Sequence, residues 1–134
     1  MSRTEQEAVR LLQDALPDLV AVYLFGSTSA GNAGPESDVD LAVLARQRLD
    51  PSDRFDLQER LASVLRRPVD LADLRAASTV FAIQVVGGGR LLYESDSAAR
   101  GRFEDLAFSL YARLNEERRG VLDRVASEGT VYGR

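Results

Sequence analysis

The chain contains no cysteine and no histidine among its 134 residues. Without cysteine there is no disulfide framework, no thiolate zinc site and no sulfur nucleophile. Without histidine the usual general base and the usual transition-metal ligand are missing. Acid–base or metal chemistry therefore falls mainly to carboxylates. No apolar run approaches the roughly 18 residues of a membrane span. The opening Met1-Ser2-Arg3-Thr4-Glu5-Gln6-Glu7 also lacks a basic segment leading into an apolar one, so the expected setting is the cytoplasm. Positive charge is in deficit: 17 Lys and Arg against 21 Asp and Glu give a net charge of −4. That balance argues against a broad nucleic-acid surface, leaving room only for a local patch. What remains, 45% hydrophobic and 28% charged residues, fits a single soluble domain over residues 1–134 with a loose tail at 129–134.

One stretch organises the rest. Val20 to Phe25 is an unbroken apolar run, Gly26-Ser27 is a turn, Gly31, Gly34 and Pro35 punctuate a loop, and Asp38-Val39-Asp40 opens a second apolar run to Leu44. Alternate strand residues point the same way at a rise of about 3.3 Å each, so Asp38 and Asp40 share a face about 7 Å apart at the backbone. Val39, Leu41 and Val43 carry the opposite face into a core. Two neighbouring carboxylates repel and are costly inside a fold unless paired or on a metal. Hard oxygen ligands in that position suit Mg2+ and a phosphate-bearing substrate. Gly26 lets a backbone approach a ligand closely, and Ser27 offers a hydroxyl and a helix start, both suited to phosphate. Two aspartates one residue apart are common as turns and caps. The apolar strands on both sides and Gly-Ser ten intervening residues upstream make this pair far more specific.

In chain order, Thr4 with Glu7 predicts a capping box, and Ala8, Leu12, Ala15 and Leu16 a helix that ends before Pro17. Asp50 or Ser52 starts a second helix with Phe55, Leu57, Leu61, Val64 and Leu65 on its apolar stripe, ended by Pro68. Val69 to Leu74 reads as a strand with Val69 and Leu71 on one face and Asp70 on the other. Asp70 is then either a third carboxylate beside the first two, able to share a metal and accept a proton, or a solvent-facing residue; the pattern does not choose. Ser78 to Val86 fits helix or strand, and Gly87-Gly88-Gly89 favours a helix that they terminate. Leu91 to Tyr93 is a small strand. Ser95, Asp96 or Ser97 caps a last long helix with Phe103, Leu106, Ala107, Leu110 and Leu114 inward, continuing through Val121, Leu122 and Val125 to Gly129. Neither GxGxxG nor GxxxxGK[ST] occurs, which removes the dinucleotide and P-loop readings.

Gly26-Ser27, ten residues, then Asp38-Val39-Asp40 resembles the signature of the polymerase-beta-type nucleotidyltransferases, and the short chain resembles their minimal branch. The resemblance implies an α/β fold with a small mixed sheet flanked by helices. It also implies two Mg2+ ions, ATP as co-substrate and transfer of a nucleoside monophosphate to a hydroxyl. It places a third catalytic carboxylate on the strand after the second helix, where Asp70 matches better than Asp73. Asp38, Asp40 and Asp70 would then be the catalytic and metal residues, and Gly26 and Ser27 the phosphate binders. Many relatives carry Arg where this chain has Thr28 and Ala30, which leaves Arg46, Arg48, Arg66, Arg67 or Arg90 as replacements.

Over roughly residues 5 to 114 the likeness is closest to stand-alone antitoxins of toxin–antitoxin pairs, encoded beside a helical HEPN ribonuclease. Such antitoxins add AMP to a tyrosine of the toxin, which implies a hetero-oligomer with that partner. Two other functions compete: a small-molecule nucleotidyltransferase acting on an aminoglycoside-like acceptor, marked by a deep acidic pocket beside Asp70, and a non-catalytic binding antitoxin, marked by Asp70 turned away from Asp38 and Asp40.

Overall fold

The two apolar runs beside the Gly-Ser turn pair with each other, β1 (Leu19–Phe25) antiparallel to β2 (Val39–Ala45), with Phe25 opposite Asp40. The structure is a computed structural model that describes residues 1–26 and 38–128. Around the hairpin lie α1 (Arg3–Ala15), α2 (Pro51–Leu65), β3 (Val69–Asp73), α3 (Thr79–Gly88), β4 (Arg90–Glu94) and α4 (Ser97–Glu128). The sheet order is β3-β2-β1-β4. β4 pairs antiparallel with β1, whereas β3 runs parallel to β2. A parallel neighbour requires a crossover, and α2 supplies it. The sheet is therefore mixed and helix-flanked, with a long C-terminal helix, as expected from the sequence.

Period-two alternation divides the core between the faces of the sheet. Val22, Leu24, Val39, Leu41, Val43, Val69 and Leu71 pack under Leu12 of α1 and Leu57 and Leu61 of α2. Val20, Tyr23, Ala42, Leu44 and Leu74 pack under Ala82 and Val85 of α3 and Ala99 of α4. Tyr23 is buried, and its hydroxyl donates to Glu104 Oε2 at 2.6 Å. Arg100 bonds both Glu104 and Glu94, which ties the start of α4 to β1 and β4. Burial and the facing Glu104 carboxylate push the Tyr23 phenol well above its ordinary range, so it stays a donor.

Local chemistry sets the element ends. Asp50 caps α2 by accepting from the Ser52 and Asp53 amides, and Pro51 opens the helix. Ser78 caps α3. The α1 cap differs from expectation: Ser2, not Thr4, accepts from the Glu5 amide, and Glu5 reaches back to the Ser2 amide. Both hydroxyl residues have a glutamate three positions on, and the box closes on the earlier one, so the helix starts at Arg3. Gly87 and Gly88 form the last turn of α3, so termination falls to Gly89 alone. A Cβ there would lie 2.6 Å from the Val85 carbonyl and 2.9 Å from that of Leu24.

Candidate active site

Asp40 lies between Val39 and Leu41, which face α1 and α2, so its own side chain emerges on the α3 side of the sheet. Asp70 does the same on β3, between Val69 and Leu71. The parallel register sets Asp40 directly beside Asp70. Asp38 precedes β2 by one residue and is exposed. Asp73, the rival of Asp70, lies three residues down the strand opposite Val43 and is buried. There it accepts from the amides of Leu49 at 2.8 Å and Arg75 at 3.0 Å, a structural role that closes two loops.

The turn after β1 meets the same carboxylates. Gly26 has φ +77°, and a Cβ at this position would collide with the Asp40 carboxylate. Glycine is required twice over, by the backbone conformation and by the close approach. Ser27, Thr28 and Ala30 lie outside the described residues. Phe25 packs edge-on against Phe81 of α3 with ring centroids 5.4 Å apart, giving the site an apolar wall. The sequence marked both rings as apolar, but only the tertiary contact reveals that wall.

Electrostatics bear out the crowding. Asp40 has its pKa raised, first by burial, then by the charge and hydrogen bonding of Asp70 and by the charge of Asp38. A cation between these groups would reverse each of those penalties. Among the described residues no three Asp, Glu, His or Cys side chains already form a closed metal cage. Mg2+ typically takes one or two carboxylates and completes its shell with water and substrate phosphates, and the neighbouring Asp40 and Asp70 carboxylates offer that number. The donor set therefore fits a divalent cation that arrives with a phosphorylated substrate.

Two of the candidate arginines are held by acids elsewhere in the fold. Arg90 donates bidentately to Glu5 at 3.1 and 2.8 Å. Arg46 is held by Asp96 at 2.9 Å, and with Arg48 follows the far end of β2, about 20 Å from Asp40 at strand rise. Arg66 and Arg67 join α2 to β3, at the same sheet end as the carboxylates.

The sequence matches the family "Polymerase beta, Nucleotidyltransferase" over residues 6–98, which spans Gly26 and all three aspartates. The chain belongs to this family. It is 42% identical over 121 residues to the protein adenylyltransferase MntA of Shewanella oneidensis, covering 90% of this chain and 86% of that one. Among solved structures, it is similar to a chain of a toxin–antitoxin crystal structure with AMP-PNP: TM-score 0.80 at 42% identity, covering 91% of this chain and 98% of that one. It is also similar to a chain in the complex of a tri-AMPylated Shewanella oneidensis HEPN toxin with its MNT antitoxin: TM-score 0.76 at 40% identity, with coverages of 92% and 96%. The four helices and four-stranded mixed sheet are consistent with a minimal nucleotidyltransferase fold. Among the described residues of this member, no helix is long and apolar enough to cross a membrane.

Proposed function

We propose that this chain is an antitoxin that transfers AMP from ATP to a tyrosine hydroxyl of a HEPN-domain toxin in the cytoplasm. The observation that carries the reading is the juxtaposition of Asp40 with Asp70 beside the glycine turn, in a chain 42% identical to a protein adenylyltransferase. In this reading Asp38 and Asp40 hold the cation that accompanies the triphosphate, and Asp70 joins them for a second Mg2+. Bound there, the two ions would neutralise charge on the transferred phosphoryl group and on the leaving pyrophosphate. Gly26, bare of a side chain, and Ser27 cradle the β and γ phosphates. The tyrosine oxygen bonds to the α phosphorus, its proton passes to the Asp70 carboxylate, and the bond to pyrophosphate breaks on the opposite side. A tyrosine hydroxyl ordinarily titrates near 10, so proton removal is where a positioned base acts. Asp70 lies on the edge strand, where a protein-borne acceptor can reach it.

The non-catalytic reading lacks the mark expected of it. Asp70 interacts electrostatically with Asp40 instead of turning away, which disfavours a purely non-catalytic plug. The deciding measurement is the intact mass of the purified HEPN partner after incubation with ATP and Mg2+. Each transfer adds one adenylyl group. Asp70→Asn is expected to slow transfer by at least about a hundredfold while retaining ATP binding. An unchanged partner mass with the wild-type chain would sink the function, and full activity in the variant would sink only the role of Asp70.

A further inference from the structure

We propose that Arg66 is an acceptor-side phosphate-binding residue, which takes the phosphate of an AMP already attached to the partner so that this AMP becomes the next acceptor. The inference rests on the adenylyl-transfer reading and adds a subsite to it. Its starting point is the backbone. Arg66 has φ 56° and ψ 40°, and it is the non-glycine residue with positive φ among the described residues. At a helix C-cap this left-handed conformation favours glycine, and any side chain there is strained. A long cation occupies it nonetheless. The backbone N–H of Arg66 donates to the Ala62 carbonyl, but its side chain is exposed and makes no hydrogen bond or ion pair among the described residues. Fold stability thus gives no return for the strained side chain.

Position supplies the chemistry. Arg66 is four residues from Asp70, and the intervening Pro68 carbonyl accepts from the Val39 amide at 2.9 Å, which fixes this corner to the start of β2. Four residues span at most about 14 Å, within reach of an extended arginine working with a ligand at Asp70. The glycine turn lies on the β1 side of Asp40, while Arg66 lies towards the sheet edge formed by β3. The incoming triphosphate and the acceptor thus occupy opposite flanks of the carboxylates. An arginine guanidinium matches a phosphodiester through paired hydrogen bonds. The related complex contains a tri-AMPylated toxin. Three AMP groups need either three protein hydroxyls or growth on an AMP already in place, and only growth presents a phosphate on the acceptor side. In each later round the ribose hydroxyl oxygen of the attached AMP bonds to the α phosphorus of a new ATP. Its proton goes to Asp70, and the bond to pyrophosphate breaks, pyrophosphate leaving with the electron pair.

The test uses the full chain, the HEPN-domain protein encoded beside it, ATP and Mg2+, with intact mass followed over time and peptide mapping of the modified site. Successive additions on a single residue are expected with the wild type. Arg66→Gly should lower the ratio of second-step to first-step rate at least about tenfold, with Arg66→Lys intermediate. Its melting temperature should equal or exceed that of wild type, because glycine relieves the strain; a lower value would assign Arg66 to capping α2 and overturn the proposal. Equal slowing of every step would place Arg66 at ATP or at partner docking, and an unaltered ratio would remove it from the site; both overturn it, as does mapping the AMP groups to separate residues. A wild-type product that stops at one AMP would defeat this inference alone, whereas no mass gain at all would defeat the adenylyl-transfer reading beneath it.

Discussion

Asp40 carries an acid at a place that resists its ionisation, since burial and the charges of Asp70 and Asp38 all raise its pKa. A raised carboxyl pKa in the folded state means that ionisation costs folding free energy at neutral pH and that the cost fades as pH falls into the carboxylate range. Asp40→Asn is therefore expected to raise the melting temperature of the nucleotide-free chain at pH 7, by up to about 1 kcal/mol of stability, and to abolish the gain near pH 3. The same substitution should reduce adenylyl transfer at least about a hundredfold. Thermal melts at the two pH values, set beside the mass assay, check both halves. Gly26→Ala should act in the opposite sense on stability, destabilising by about 1–2 kcal/mol, because its Cβ meets the Asp40 carboxylate and its φ is left-handed. Urea unfolding of this variant measures the effect.

At the scale of elements, α1 is pinned across the sheet by the bidentate pair of Arg90 with Glu5. Chiefly through the Arg90 hydrogen bonds, the Glu5 pKa lies below its ordinary 4.5. A depressed acid stabilises the fold above its unfolded pKa and loses that contribution as pH falls through the folded value. Glu5→Gln should thus cost about 1 kcal/mol or less at pH 7, given the half-exposed guanidinium, and progressively nothing at acid pH below 4.5. Parallel pH series of thermal melts would show the two curves converging. The pair also explains what the sequence could not say about arginine. Five candidates looked equivalent along the chain, but Arg90 and Arg46 turn out to be held by acids 85 and 50 residues away, separations that no local pattern encodes. Strands and helices were legible because periodicity is local: Val20–Phe25 and Val69–Leu74 differ from β1 and β3 by a residue at one end, and Asp38–Leu44 from β2 by a residue at each end. The alternation around Asp70 likewise foretold its face. Register was not legible, and register is what sets Asp70 against Asp40 and Asp73 against Val43.

For the whole molecule, α4 is the feature out of scale with the rest. Its 32 residues make a rod about 48 Å long, yet its apolar packing on the domain is concentrated near its start, at Ala99, Phe103 and Ala107, with Leu110 at the margin of the groove between α3 and α4. Leu114 and Val121 continue that face at helical spacing, and Val121 is 51% exposed. In proteins most helical stability comes from packing of an apolar face, so we expect the HEPN partner to cover this one. The double change Leu110→Glu with Val121→Glu should weaken co-purification at least about tenfold while leaving the melting temperature of the free chain nearly unchanged. The parallel pairing of β3 with β2 has a consequence of another kind, in the order of events as the chain folds. β1 and β2 are sequence neighbours and can pair early, whereas β3 must wait for α2 to form and cross over, closing a longer loop at greater entropic cost. Asp38 and Asp40 are then assembled before Asp70 joins them. A refolding chain should regain most of its helical circular dichroism, and the hairpin, before it regains transfer activity. A newly made antitoxin would accordingly pass through an interval in which it is ordered but unable to modify its partner.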